Sequence, residues 1–313
     1  MSKEQNTKFR TSIGGQALIE GIMMQGPEKR AIVIRSPEGL VTKVEPNHSP
    51  KDKYPILGLP LIRGVVNFIQ SLIRGMRDIT YSAEFFPEDE GEPSKFDRWL
   101  EKKLGSEKME QAVIYLAVVL GILMAVGLFI LLPTFLVGLI RPAHDNYLLR
   151  SLLEGIVKII LFLAYLWACS RMKDIYRVFC YHGAEHKTIF CYEKGLPLTV
   201  ENVRPQSRFH PRCGTSFLFI VVIISVLAGT LIHATNTLAR IGLRLLLLPV
   251  VVAVSYECLK WAGRHDNLLS RILSWPGKQL QRLTTHEPDD SMIEVAIEAL
   301  KAVIPDTPGS DIW

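Results

Sequence analysis

The chain has 313 residues, 48% of them hydrophobic, with a mean hydropathy of +0.20 and a formal charge of +5. It is too apolar for an ordinary soluble enzyme, and its mild charge suggests no nucleic-acid partner. The five cysteines (Cys169, Cys180, Cys191, Cys213 and Cys258) are scattered and odd in number. They contain no Cys-x-x-Cys, so they make no disulfide framework and fit a reducing compartment.

Residues 1–55 read as a small β-rich cytosolic unit. The polar N-terminus lacks the apolar core and small-residue cleavage site of a signal peptide. Ile13 to Met24 is apolar and punctuated by glycines, which predicts tight turns or close backbone contacts. Ala31 to Arg35 and Leu40 to Val44 flank Ser36-Pro37-Glu38-Gly39, a type I turn signature, and predict a β-hairpin. A phosphate-cradling glycine loop is not expected, because the pattern and its lysine are missing.

Residues 56–110 are expected to hold an interfacial amphipathic helix and an acidic linker. From Leu59 to Tyr81, Ile62, Val65, Val66, Ile69, Leu72, Ile73 and Met76 share one helical face, while Arg63, Gln70, Arg74 and Arg77 share the other. Such a helix is expected in the headgroup layer with Arg63, Arg74 and Arg77 towards anionic lipid. The alternative is a helix packed on its own domain. Pro87 to Ser94 is acidic and reads as the linker.

Four segments are predicted to span a membrane: Val113 to Ile140, interrupted by Pro133, and Leu152 to Cys169 (within 111–171), then Phe217 to Ile232 and Leu245 to Tyr256 (within 215–262). Lysine and arginine concentrate before the first span, in the 172–214 loop and after the fourth. The other two loops offer only Arg141 and Arg150, then Arg240 and Arg244. This bias places both termini and the central loop in the cytosol of a bacterial cytoplasmic membrane. Few charges lie deep in the spans, which argues against transport. The expected fold is therefore mainly α: a multi-pass membrane protein of about four transmembrane helices with the β-rich unit and interfacial helix attached.

The central loop carries the chemistry. Tyr181 to Lys187 contains His182-x-x-Glu185-His186. Residues at i and i+4 of a helix lie one above the other, so two imidazoles can face one ion with Glu185 placed to work on a water. The same order occurs in inverted zinc-protease motifs, so the expected ion is Zn²⁺. The plainer reading is a polar helix turn whose histidines bond to neighbours. The second span is expected to continue as helix through this stretch, with Gly195 as its stop. In Arg204 to Thr215, His210 and Cys213 are candidate ligands, and a free buried thiol is an equal reading of Cys213. The arginines there suit positive-inside anchoring. Glu257, at the cytosolic end of the fourth span, is the expected third ligand by analogy with the distant carboxylate of inverted zinc motifs. A salt bridge is its alternative.

Residues 263–313 read as a cytosolic C-terminal region. Trp275-Pro276-Gly277 is expected to break the chain at the membrane surface. Thr284 to Asp290 leads into an amphipathic helix from Ser291 to Val303. The acids before it are expected as helix caps, with a metal or partner site at His286, Asp289 or Asp290 as the alternative.

Gly14 to Met24, Tyr181 to Lys187, Leu198 to Val203, His210 to Phe217 and Thr284 to Asp290 together resemble the bacterial domain-of-unknown-function family 1385, the YqhQ-like membrane proteins. The resemblance runs from about Ile13 to Val303. It implies a bacterial multi-pass membrane protein and a metal-dependent enzyme, with no substrate attached. His286 departs from it, standing where arginine is expected, which weakens a metal role there. Two functions follow. One is a metal-dependent hydrolase at the cytosolic membrane face, plausibly a peptidase, with His182 and His186 on Zn²⁺ and Glu185 as general base. The other is a non-catalytic membrane scaffold or assembly factor with a structural polar or metal site. Membrane lipids, membrane-protein partners or a peptide substrate are the expected partners. Four protein ligands would favour the scaffold, and an open position near Glu185 the enzyme.

Overall fold

A computed structural model describes residues 9–48, 50–86, 106–140, 146–232, 236–265, 267–307 and 309–312. The expected acidic linker, the lysines and arginines just after it and Arg141 lie outside the described residues. Four strands open the chain: β1 (Gly14–Leu18), β2 (Gly21–Gln25), β3 (Lys29–Ser36) and β4 (Gly39–Pro46). Helices follow as α1 (Pro50–Lys53), α2 (Ile62–Ala83), α3 (Ser106–Val126), α4 (Leu132–Gly138), α5 (Tyr147–Cys169), α6 (Lys173–Glu193), α7 (Val200–Val203), α8 (Gly214–Thr230), α9 (Thr237–Arg264), α10 (Leu268–Thr284) and α11 (Asp290–Lys301). Two compact units emerge, one of Met1–Phe86, Tyr165–Ile224 and Pro249–Trp313, the other of Pro87–Ala164 and Ser225–Leu248.

In the first unit the strands form an antiparallel meander in the order β1-β2-β3-β4. The predicted hairpin is β3–β4, paired from Lys29 with Pro46 to Ser36 with Gly39. Its turn takes Gly39 to φ +135°, a conformation that excludes most side chains. The glycine-punctuated stretch forms a second hairpin, β1–β2, closing at Leu18 with Gly21. Alternation along the strands sends Ile22, Met24, Ala31 and Val33 into a core shared with α6 and α11. Leu18, Met23, Ile32 and Ile34 point the other way, against Tyr81, Phe85 and Phe86.

The α2 helix meets the sheet with its polar side. Gly64, Gly75, Asp78 and Ser82 are its buried residues. The Arg30 guanidinium bonds the Asp78 carboxylate at 2.5 Å, and Ser82 Oγ accepts the Ile19 N–H. Ile62, Ile69, Leu72, Ile73, Met76 and Ile79 are left exposed. The expected arginine face is corrected in part. Arg63 forks onto Glu257, Arg74 donates to Asn47 and His48, and Arg77 pairs with Glu45, so acceptors of the protein itself hold these cations. The helical period is present, but the side turned to the sheet carries Asp78 and Ser82, while Tyr81 is an apolar residue of α2 that also packs there.

Among the described residues three helices are long and apolar enough to cross a membrane: Tyr115–Gly138, Tyr147–Cys169 and Leu238–Arg264. A fourth, Gly214–Thr230, is apolar but shorter. Pro133 does not stop the first. A π turn at Gly127–Leu131 precedes it, and the proline sits in the opening turn of α4, where its missing N–H costs least. Two expectations are corrected. The helix of the second span does not run on through His182, because the chain breaks at Ser170 to Met172 before α6 begins. Trp275-Pro276-Gly277 does not break the chain, since α10 passes through Pro276. A helix tolerates such a proline when the surroundings hold it, and Gly277 is packed tightly on Ser216. The capping box at Asn267 and Ser270 starts α10, and the Asp289 carboxylate caps α11 by accepting the Met292 N–H at 3.0 Å.

Candidate metal centre

His182, Glu185 and His186 lie on one side of α6, whose turns from Cys180 to Ile189 are almost wholly buried. Burial this deep needs partners for every imidazole nitrogen. His182 Nδ1 stands 2.8 Å from the Thr284 carbonyl at the end of α10. His186 Nδ1 stands 2.6 Å from the Arg208 carbonyl in the loop after α7. Each carbonyl can only accept, so each Nδ1 donates, and in the neutral ring Nε2 is then the nitrogen that carries the lone pair. Both Nε2 atoms thus face a third group. Cys213, just before α8, supplies it: its Sγ lies 3.1 Å from His182 Nε2. Ligand atoms of His182, His186 and Cys213 all lie within 4.8 Å of one another.

The second polar loop is held by paired contacts. The Gln281 side chain accepts the His210 N–H and donates to the His210 carbonyl, both at 2.7 Å. Lys187 bonds the Arg204 carbonyl and pairs with Glu287, and Arg208 donates to the Thr285 carbonyl. The 284–288 segment crosses α6 at Gly183. A Cβ built there would stand 2.0 Å from the His286 carbonyl oxygen, so only glycine fits. The His286 N–H then reaches the Phe179 carbonyl at 2.9 Å. Gln281, Thr284 and Arg208 were not foreseen. Two of them act through backbone carbonyls, which leave no trace in residue type.

Charge and burial compete in the group. Burial works against the His182 imidazolium, yet the Cys213 thiolate and the Glu185 carboxylate prevail and push it up to about 9. Burial would raise the Cys213 thiol, but the imidazoles of His182 and His186 hold it well below the usual thiol range. A thiolate held beside imidazoles is the form in which cysteine binds a cation. Burial also drives the Glu185 carboxyl up, against the lowering effect of both imidazoles. Its Oε2 is buried without a hydrogen-bond partner. All four residues line a cavity of about 330 Å³, together with Ile13 to Ala17, His210 and Arg212.

The other expected ligands fall elsewhere. Both oxygens of Glu257 are bonded by Arg63, and one also accepts the Leu61 N–H, so this carboxylate stands in an ion pair apart from the group. A fixed guanidinium fork satisfies a carboxylate at a helix end as well as a metal would. His210 reaches the cavity wall with its ring 5.5 Å from that of His186. Its Nε2 faces Arg212 and Glu193, and burial, opposed by Glu193 and aided by His186 and Arg212, pushes it down to about 4. His286 stacks on Tyr176 at 4.3 Å, and Asp290 forks with Arg204.

Residues 59–306 match the family described as "Protein of unknown function (DUF1385)". The chain belongs to this family. The DUF1385 match includes His182, Glu185, His186 and Cys213, while Gly15 and the sheet precede it. The protein is also similar to "Uncharacterized protein YqhQ" of Bacillus subtilis (strain 168), 36% identical over 301 residues, covering 95% of this chain and 93% of that protein. No solved structure matches it. The donor set of this DUF1385 chain fits a soft or borderline divalent cation. Donors on one tetrahedral zinc stand roughly 3.3–3.8 Å apart, and these three lie within 4.8 Å of one another.

Proposed function

We propose that this DUF1385 protein is a metal-dependent hydrolase, a peptidase in the first instance, with its site at the cytosolic face of a bacterial membrane. The carrying observation is the unpartnered Glu185 oxygen beside three convergent donors at a cavity wall. His182, His186 and Cys213 would hold Zn²⁺. A bound divalent ion supplies Lewis acidity, lowering the pKa of water and polarising a carbonyl. Glu185, its carboxyl raised by burial, takes a proton from a cavity water and delivers it to the leaving amine. The Thr284 and Arg208 carbonyls keep both imidazoles in the tautomer that binds through Nε2. A purely structural site would use four protein donors. Among the described residues the group has three, which supports the open, reactive reading over the scaffold.

Metal analysis of the purified full chain tests this. The wild type is expected to carry about one equivalent of metal per chain. His182→Ala, His186→Ala and Cys213→Ala should each lower it, while Glu185→Gln should retain the metal and lose cleavage of a fluorogenic peptide pool. Full occupancy in a His182→Ala, His186→Ala double variant would sink the site, and undiminished cleavage by Glu185→Gln would sink its role.

The membrane arrangement belongs to the same proposal. It has four spans, α8 included, both termini cytosolic, and the exposed apolar stripe of α2 lying on lipid. The loop charge bias and that stripe support it. Reporter fusions after Asn47 and Asp306 should report cytosol, and those near Asn146 and Asn236 the exterior. An external signal from the first or last fusion would overturn the arrangement.

A further inference from the structure

Arg150, Arg240 and Arg244, expected in external loops, sit inside helices of the second unit. Arg150, Glu154 and Lys158 occupy successive turns of α5, and Arg240 and Arg244 lie on α9. Glu154 and Arg240 are each only 2% exposed. The Glu154 carboxylate is the centre of the group. Arg150 Nε approaches one oxygen at 3.3 Å and Arg240 Nη1 at 3.6 Å, while Arg244 Nη2 bonds the other. Neighbouring hydroxyls complete the shell. Arg244 donates to Thr134 at 2.8 Å, Arg240 to Ser151 at 3.3 Å and Lys158 to Ser225 at 3.2 Å.

The balance of charge is uneven. Arg150, Lys158, Arg240 and Arg244 stand around Glu154, which among the described side chains is the one acid of the group. A buried cation without a counter-charge is costly, and in a lipid-facing helix more so. Hydroxyls offset little of this imbalance among the described side chains. Arg240 Nε, moreover, is buried without a hydrogen-bond partner. Convergent guanidiniums on one small oxyanion are the arrangement that recognises phosphate, because each presents a planar donor fork. The Glu154 carboxylate occupies the seat such an oxyanion would take.

We propose that Arg150, Arg240 and Arg244 form a binding site for a phosphate-type oxyanion, with Glu154 as the tethered group it displaces. The ligand brings the negative charge that the cluster lacks. Either a phospholipid headgroup or free phosphate has the right chemistry. This site is independent of the proposed metal centre.

The test uses the full chain in nanodiscs of phosphatidylcholine. One arm titrates inorganic phosphate, and the other adds phosphatidylglycerol and counts bound lipid by native mass spectrometry. The wild type should bind one equivalent of phosphate or of phosphatidylglycerol, and the responding arm names the source. Glu154→Gln, which removes the competitor, should bind at least tenfold more tightly, and Arg240→Gln at least tenfold more weakly. A network that serves only to hold the helices together predicts no such rise in Glu154→Gln. Failure of the folded wild type to bind either probe, or weaker binding by folded Glu154→Gln, overturns the proposal.

Discussion

Asp78→Ala is expected to cost about 3–5 kcal/mol of stability, the usual effect of removing one partner of a buried ion pair. Arg30 and Asp78 are 2% and 1% exposed and meet at 2.5 Å between the sheet and α2. Without the carboxylate, the buried Arg30 keeps a contact with the partly exposed Glu45 at 3.5 Å. The penalty comes mainly from the stranded guanidinium rather than from lost attraction. An Arg30→Met, Asp78→Leu double variant should therefore recover most of the loss. Thermal unfolding in detergent, followed by tryptophan fluorescence, reads both. A single-variant cost under about 1 kcal/mol, typical of exposed pairs, would mean that water reaches the pair.

The second large effect is expected at Gly183, and its sign is diagnostic. In an open helix Gly→Ala stabilises by roughly 1 kcal/mol. Here the new methyl would stand 2.0 Å from the His286 carbonyl oxygen, a backbone atom that cannot swing aside. The 284–288 segment must lift from α6. The bond from the His286 N–H to the Phe179 carbonyl goes with it, as does the Thr284 acceptor of His182 Nδ1. We expect Gly183→Ala to destabilise by about 1–3 kcal/mol, the range for overpacking, and to deprive His182 of its fixed tautomer. The same melting experiment decides. An unchanged or raised Tm would show that the crossing is looser than described.

Local chemistry was legible in the sequence. Pro37 and Gly39 announce their hairpin, Asp289 its cap, and His182 and His186 their shared helical face, because in each case the cause lies within four residues of the effect. What sequence could not do was choose among the candidate ligands from far away, Glu257, His210 and Cys213. Cys213 rather than Glu257 joins the two histidines, since Arg63 captures Glu257 from another helix. The period of α2 was plain, but not which face turns inward. In water burial would favour the apolar side, yet the buried residues here are Gly64, Gly75, Asp78 and Ser82. Arg150, Arg240 and Arg244 read as loop charges because Glu154, which holds them, is a single carboxylate in an apolar run.

The interleaving of the first unit fixes the order in which it can be made. The sheet face of Ile22, Met24, Ala31 and Val33 is covered by α11, and His182 depends on Thr284. At the 5–20 residues per second of translation, α11 leaves the ribosome on the order of 10–50 s after β3. For that interval the sheet has an uncovered apolar side, and the alternating charges of β4, Lys43 and Glu45 among them, guard one edge against pairing with other nascent chains. His182 likewise gains its carbonyl partner only once α10 has been synthesised. The cavity residues thus stay unassembled while the long apolar helices are being made, and the centre takes shape only once α10 is complete.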